Sequence, residues 1–185
     1  MARIVGGVAG GRRLRVPRTG TRPTSDRARE ALFNTLAGLV ELDGARVLDL
    51  FAGSGAVGLE ALSRGAKVAV LVESDVEAAR TITANVTSLG LTGAEVMRTA
   101  VERHLALPPP AEPFDVVFAD PPYALPEAGL AEVLERLAGP YWVRGGGVVV
   151  VERSVQSPEP LWPKALLAVK HKRYGDTALW YRRNI

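Results

Sequence analysis

Arg46-Val-Leu-Asp-Leu-Phe-Ala-Gly-Ser-Gly-Ala-Val-Gly58 reads as a strand, a glycine turn and the opening of a helix. Gly53, Gly55 and Gly58 spell G-x-G-x-x-G, a pattern that several nucleotide-binding families share. Without a Cβ the backbone lets a ligand approach the turn closely, and the next helix presents free N–H groups. A second apolar run, Lys67-Val-Ala-Val-Leu-Val-Glu73, ends in an acid 24 residues after Asp49. A carboxylate there can accept both hydroxyls of a ribose.

Farther along, the apolar run Phe114–Ala119 ends in Asp120-Pro-Pro-Tyr123. The prolines fix φ and carry no N–H, so this backbone is held away from helix and ladder pairing. A carboxylate, backbone carbonyls and a ring face then point into the crevice where open α/β sheets bind ligands. Such a ledge can hold a planar base and accept hydrogen bonds from its exocyclic amine. The ligand at the glycine turn is either a dinucleotide or a methyl donor. A pyrophosphate favours a helix N-terminus, but Asp49 at the end of the first strand repels it. Asp49 and Asp120 suit the cationic S-adenosylmethionine.

Working outward, Arg3–Gly7 and Arg12–Val16 predict a small hairpin before the main domain. Residues 25–40 predict a helix with Ala28, Leu32, Leu36 and Leu39 or Val40 on its inner face. Helix 56–64 and strand 67–73 follow, then a helix from Asp75 to Gly90 with an inward stripe of Ala79, Ile82, Val86 and Leu89. Val96 lies on a short strand, Val101–Leu107 on a short helix stopped by Pro108. Strand 114–119, helix 127–138 and strand 147–152 come next, and 166–171 with 177–183 pair as a closing hairpin around Gly175. The result is an α/β fold with a mostly parallel seven-stranded sheet, one strand antiparallel, preceded by the small hairpin. The expected division is residues 1–24 as a basic hairpin extension and 25–185 as the catalytic domain.

With 185 residues, 47% of them hydrophobic, and mean hydropathy +0.08, one domain with a sizeable core is expected. The chain has no cysteine and only His104 and His171, which leaves no disulfide framework and no expected metal site. No apolar stretch suits a bilayer and no signal peptide opens the chain, so a cytoplasmic protein is expected. The net charge of +3 hides an asymmetry: residues 1–30 carry +6 and residues 164–185 carry +5, leaving −8 for the middle. Two basic ends around an acidic body suit a polyanion gripped from both ends. Arg3, Arg12, Arg13, Arg22, Arg29 and Arg173 are the candidate contacts to that polyanion, RNA by the resemblance given next, since arginine makes bidentate contacts with phosphate.

The chain resembles the bacterial 16S ribosomal RNA guanine-N2 methyltransferases that modify guanine 966. The resemblance rests on Arg3-Ile-Val-Gly-Gly, Gly11-Arg-Arg-Leu, Thr21-Arg-Pro-Thr-Ser-Asp-Arg-Ala-Arg-Glu-Ala-Leu-Phe-Asn34, Val47–Gly55, Gly58–Ala66, Asp120–Tyr123 and Arg173-Tyr-Gly-Asp-Thr177. It implies a Rossmann-like class I fold that uses S-adenosylmethionine, and 16S RNA, free or in the small subunit, as partner of a monomer. Asp49, Ala52, Gly53, Gly55, Glu73, Ser74, Ala100 and Asp120 would hold the cofactor. Asp120, Pro121, Pro122 and Tyr123 would hold the base, with Tyr123 stacked on it. The family's acid near the end of the third strand is replaced here by Thr99, leaving adenine to a backbone group near Ala100. Two other readings stay open at this point: adenine-N6 methylation, because the ledge fits either amine, and a non-catalytic nucleotide-binding assembly factor.

Overall fold

The computed structural model describes residues 2–18 and 24–185. Nine strands and five helices follow one another as β1 (Ala2–Arg3), β2 (Arg13–Leu14), α1 (Asp26–Ala37), β3 (Arg46–Leu50), α2 (Ala56–Ser63), β4 (Val68–Glu73), α3 (Val76–Leu89), β5 (Ala94–Arg98), α4 (Val101–Leu105), β6 (Phe114–Ala119), α5 (Glu127–Leu137), β7 (Val143–Ser154), β8 (Leu166–Tyr174) and β9 (Thr177–Asn184). Seven strands form one sheet in the order β5-β4-β3-β6-β7-β9-β8. The pairs from β5 to β7 are parallel, and β9 runs antiparallel to both of its neighbours. The sheet is therefore mostly parallel with one reversed strand, as the sequence predicts.

Both faces of this sheet are covered, which is why its central strands are mostly apolar on both sides rather than alternating, with Asp49 and Asp115 the exceptions in β3 and β6. Val47, Leu71, Phe118, Val148 and Val150 face α1, α2 and α3 through Leu32, Leu36, Leu59 and Ile82. Leu48, Leu50, Val72, Val117 and Val149 face α4 and α5 through Val101, Leu105, Leu130 and Leu134. Each such leucine, fully buried, stabilises the fold by about 1.5–3 kcal/mol. The alternation also sorts the polar tips: Asp49, Asp120 and Glu152 continue the odd-and-even pattern onto the α1–α3 side.

The helices end where their capping chemistry dictates. Ser25 accepts from the Ala28 N–H and Asp75 from the Ala78 N–H, fixing the starts of α1 and α3. α1 stops at Ala37, short of the expected Val40, because Gly38 caps it. β7 begins earlier than expected and carries Gly145–Gly147 within the strand.

The N-terminal hairpin is shorter than predicted, with Ala2 opposite Leu14 and Arg3 opposite Arg13. Ala2, Ile4, Ala9 and Leu14 join the same apolar cluster as α1 and α2. Glu60 of α2, fully buried, accepts the Val5 and Gly6 N–H groups at 2.8 Å each. Gly7 has φ 77°, and a Cβ there would lie 1.8 Å from the Ser63 carbonyl oxygen, so only glycine fits.

Arg29 corrects the sequence reading. Predicted to touch RNA, it is fully buried, with its guanidinium donating to Glu60 at 3.3 Å, to Asp26 at 2.9 Å, to the Thr24 carbonyl at 3.3 Å and to the Arg3 carbonyl. Arg29 lies on the Leu32–Phe33–Leu36 face of α1, and its neighbour two positions back, Arg27, takes the exposed face. A buried charge needs this full set of partners. Its role is to clasp the hairpin, α1 and α2 together.

Candidate active site

The carboxyl ends of β4, β3, β6 and β7 carry Glu73, Asp49, Asp120 and Glu152. A cavity of about 530 Å³ opens over the first three of these strands. Its wall includes the glycine turn (Ala52, Gly53, Ser54), the end of β4 (Glu73, Ser74, Asp75), the start of α4 (Ala100 to Glu102) and Asp120 with Pro122. The predicted cofactor residues Asp49, Ala52, Gly53, Glu73, Ser74, Ala100 and Asp120 therefore meet in one place.

Gly55 does not line this cavity. It holds φ 79°, and an added Cβ would press on Ile82 and Leu71 at 3.1 Å, so it serves the packing of α2 rather than ligand approach. Gly53 is the open position: φ is 59° and nothing stands within 4 Å of where a Cβ would be. Phe51, at φ 61°, turns the chain left-handed at the strand end and also borders the cavity. Residues without glycine's freedom hold such a conformation at a cost of about 1–3 kcal/mol, a pattern concentrated at functional sites.

The carboxylate of Glu73 braces the turn. Its oxygens accept the Gly53 N–H and the Asp75 N–H, both at 2.8 Å. Each oxygen keeps a further lone pair, as a ribose diol requires. Asp49 is buried and accepts the Gly58 N–H at 2.9 Å. Burial pushes its carboxyl up to about 8, the nearby Glu73 charge adds to this, and the Gly58 bond opposes it. Asp120 is also held well above the usual carboxylate range, first by burial, then by Glu152 and Asp49, against the pull of Arg153. A crevice that resists accumulating negative charge in this way favours a cation and disfavours a pyrophosphate.

A second cavity, of about 630 Å³, lies on the other side of the ledge. Asp120, Pro121, Tyr123, Glu152 and the β8–β9 turn around Gly175 line it, with Arg27, Arg153 and Arg173. Asp120 is the residue common to both walls. The Pro122 carbonyl accepts the Leu125 N–H at 2.9 Å and closes the turn. The Pro121 carbonyl has no donor among the described residues and stays available beside Asp120. Tyr123 is 74% exposed and lines this cavity rather than the core.

Of the other predicted RNA contacts, Arg3 is exposed and pairs with Asp26 at 3.1 Å. Arg13 and Arg173 are exposed. Arg12 is exposed too, but its guanidinium donates to the Leu89 and Ser88 carbonyls at the end of α3. Arg22 lies outside the described residues.

Residues 2–183 match the family model described as conserved hypothetical protein 95. Ribosomal RNA small subunit methyltransferase D of Escherichia coli is 38% identical over 177 residues, covering 95% of this chain and 86% of that protein. The chain belongs to this family. The relative of the same name from Haemophilus influenzae is 36% identical, with 94% of this chain and 89% of that protein covered. Among solved structures, yhhF of Escherichia coli superposes with TM-score 0.86 at 35% identity over 99% of this chain and 98% of that one. The mostly parallel seven-stranded sheet with one reversed strand is that of a Rossmann-like class I methyltransferase.

Several residues around these cavities depart from the sequence reading. Thr99 does not line the first cavity; its N–H pairs with the Glu73 carbonyl at 3.1 Å, and Glu102 of α4 reaches that wall instead. The signal was an acid in the first turn of a short helix. Val16 and Pro17 join the same wall because buried Asn85 of α3 bonds both Arg15 backbone groups and the Ser54 carbonyl. Nothing local in the sequence marks that staple. Glu152, near the end of β7, is not singled out by the sequence reading.

Proposed function

We propose that this protein transfers the methyl group of S-adenosylmethionine to the exocyclic N2 of a guanine, family position 966, in 16S ribosomal RNA. Membership in the family supports the coarser statement, a ribosomal RNA methyltransferase. The observation that carries the finer one is Asp120, which walls a cation-favouring cavity on one side and an arginine-rimmed one on the other. When bound, the cofactor supplies a methyl group already activated on a sulfonium.

The cradle fits that cofactor. Gly53 leaves room at the turn, Glu73 offers paired acceptors to a diol, and Asp49 and Asp120 return to their ionised forms beside a positive charge. Ser74, Asp75 and Glu102 border the same wall, where the adenine would be read together with Ala100. The protein's own work is then alignment. Asp120 and the Pro121 carbonyl accept the two N–H bonds of the amine, raising electron density on nitrogen and fixing its direction. Asp120, whose proton affinity burial has raised, can take the proton that the amine gives up. Tyr123 stacks on the base, which must leave its neighbours to arrive, so an unpaired guanine is the expected target.

We assign residues 1–24 and the β8–β9 turn to RNA, with Arg3, Arg12, Arg13, Arg22, Arg27 and Arg173 as contacts, and 25–185 to methyl transfer by a cytoplasmic monomer. The test incubates the protein and labelled cofactor with free 16S RNA, small subunits and DNA side by side, then digests to nucleosides for mass spectrometry. N2-methylguanosine from the RNA substrates supports the reading. N6-methyladenine as the product defeats it in favour of the other amine.

A further inference from the structure

We infer that Glu152 reads the N1–H of the target guanine and thereby selects guanine at the ledge. The inference rests on the guanine-N2 reading above and adds to it the group that distinguishes one base from another. Glu152 stands next to Asp120: Val151 pairs with Ala119 in register, and the next residue on each strand is the acid. Both side chains line the second cavity, with Pro121 and Tyr123.

Glu152 is 7% exposed. Its Oε2 accepts the Thr24 hydroxyl at 2.7 Å, while Oε1 has no donor among the described residues. Glu152 lines the cavity and this oxygen is not sealed from it, so a ligand that brings a donor can reach it. Burial pushes the Glu152 carboxyl up and the neighbouring Asp120 opposes a second negative charge, while the Thr24 hydroxyl and Arg29 of α1 pull it back toward the ionised acceptor form.

The chemistry of the bases completes the argument. Guanine alone places an N–H directly beside its exocyclic amine, so its N1–H and N2–H₂ form a row of donors. Adenine and cytosine set a ring-nitrogen lone pair beside the amine, and uracil has no amine. Two adjacent carboxylates complement the guanine row: Asp120 takes the amine and Glu152 the N1–H. An adenine turned to offer its amine to Asp120 would instead face Glu152 with a lone pair, acceptor against acceptor.

The test replaces the target guanosine in small-subunit RNA by 2,6-diaminopurine riboside, which keeps the 2-amine but has a bare N1. Assays run at the alkaline end of the working range, so that the carboxylates are ionised. The wild-type protein should favour guanine over the analogue by at least about a hundredfold in kcat/KM, because a site built to bond a donor rejects its absence. Glu152→Gln should narrow that ratio about tenfold or more, since an amide N–H can donate to the bare N1. Cofactor affinity and Tm, measured alongside, separate this from a role limited to holding Thr24, which would lower both substrates equally.

An unchanged ratio in Glu152→Gln overturns the inference. So does a wild-type protein that methylates both substrates alike, a result that stands even if the variant fails to fold. A wild-type protein that leaves no methyl on guanine N2 defeats the underlying reading, and the inference with it.

Discussion

Replacing Asp49 by asparagine should change how stability responds to pH more than it changes the fold. The Asp49 carboxyl moves from 3.8 to about 8 on folding, chiefly by burial. A folded-state pKa above the unfolded one means that the native state holds a proton the unfolded chain has released. Stability from this group is therefore full below about pH 4 and is lost as pH rises to about 8. At about 1.4 kcal/mol per pH unit the loss reaches about 6 kcal/mol. Asparagine keeps an oxygen for the Gly58 N–H but has no charge to desolvate. Its buried NH₂ costs about 1–3 kcal/mol if left without an acceptor. The variant should thus be less stable than wild type near pH 4 and more stable, by about 3 kcal/mol, at pH 8 and above. Urea melts from pH 4 to 9 measure this directly, with the difference in slope close to one proton. Parallel curves for the two proteins would refute the reasoning and place the Asp49 carboxyl in a far wetter setting.

Arg29→Ala should cost about 3 kcal/mol of stability, because it removes the clasp on Asp26, Thr24, Arg3 and Glu60 while Glu60 keeps Arg64 at 2.9 Å, whereas Arg27→Ala should leave Tm unchanged. Arg27→Ala and Arg173→Ala should instead each lower the log–log salt slope of RNA binding by about 0.7, measured by filter binding. Tyr123→Ala should reduce kcat/KM by about 1–3 kcal/mol in transition-state terms while denaturation curves stay put, given its 74% exposure. Gly55→Ala should destabilise by about 1–3 kcal/mol through its left-handed φ and the contacts at 3.1 Å. Gly53→Ala, strained but with space, should show its larger effect in cofactor calorimetry.

The sheet was legible because its signals are local. Val47–Leu50, Val68–Val72 and Phe114–Ala119 are apolar runs interrupted only by Asp49 and Asp115, and covering both faces favours such runs. The ledge and the glycine turn were legible for the same reason. What escaped depends on contacts far apart in the chain. Arg29 looks like any other arginine of a basic segment until Glu60, 31 residues away, is placed against it. Asn85 becomes a staple only when Arg15 and Ser54 converge on it. The spacing of α1 did contain part of the answer, since Arg29 shares a face with Phe33 and Leu36 while Arg27 does not.

Because one carboxylate closes both chambers, the two ligands cannot be indifferent to each other. A cation entering on the glycine-turn side draws the proton off Asp120 and leaves a sharper acceptor on the opposite side. Thermodynamic reciprocity then requires an amine donor seated there to tighten the hold on the cation by the same factor. On the proposed reading, a partition built from a single titrating side chain thus makes each arrival prepare the way for the other.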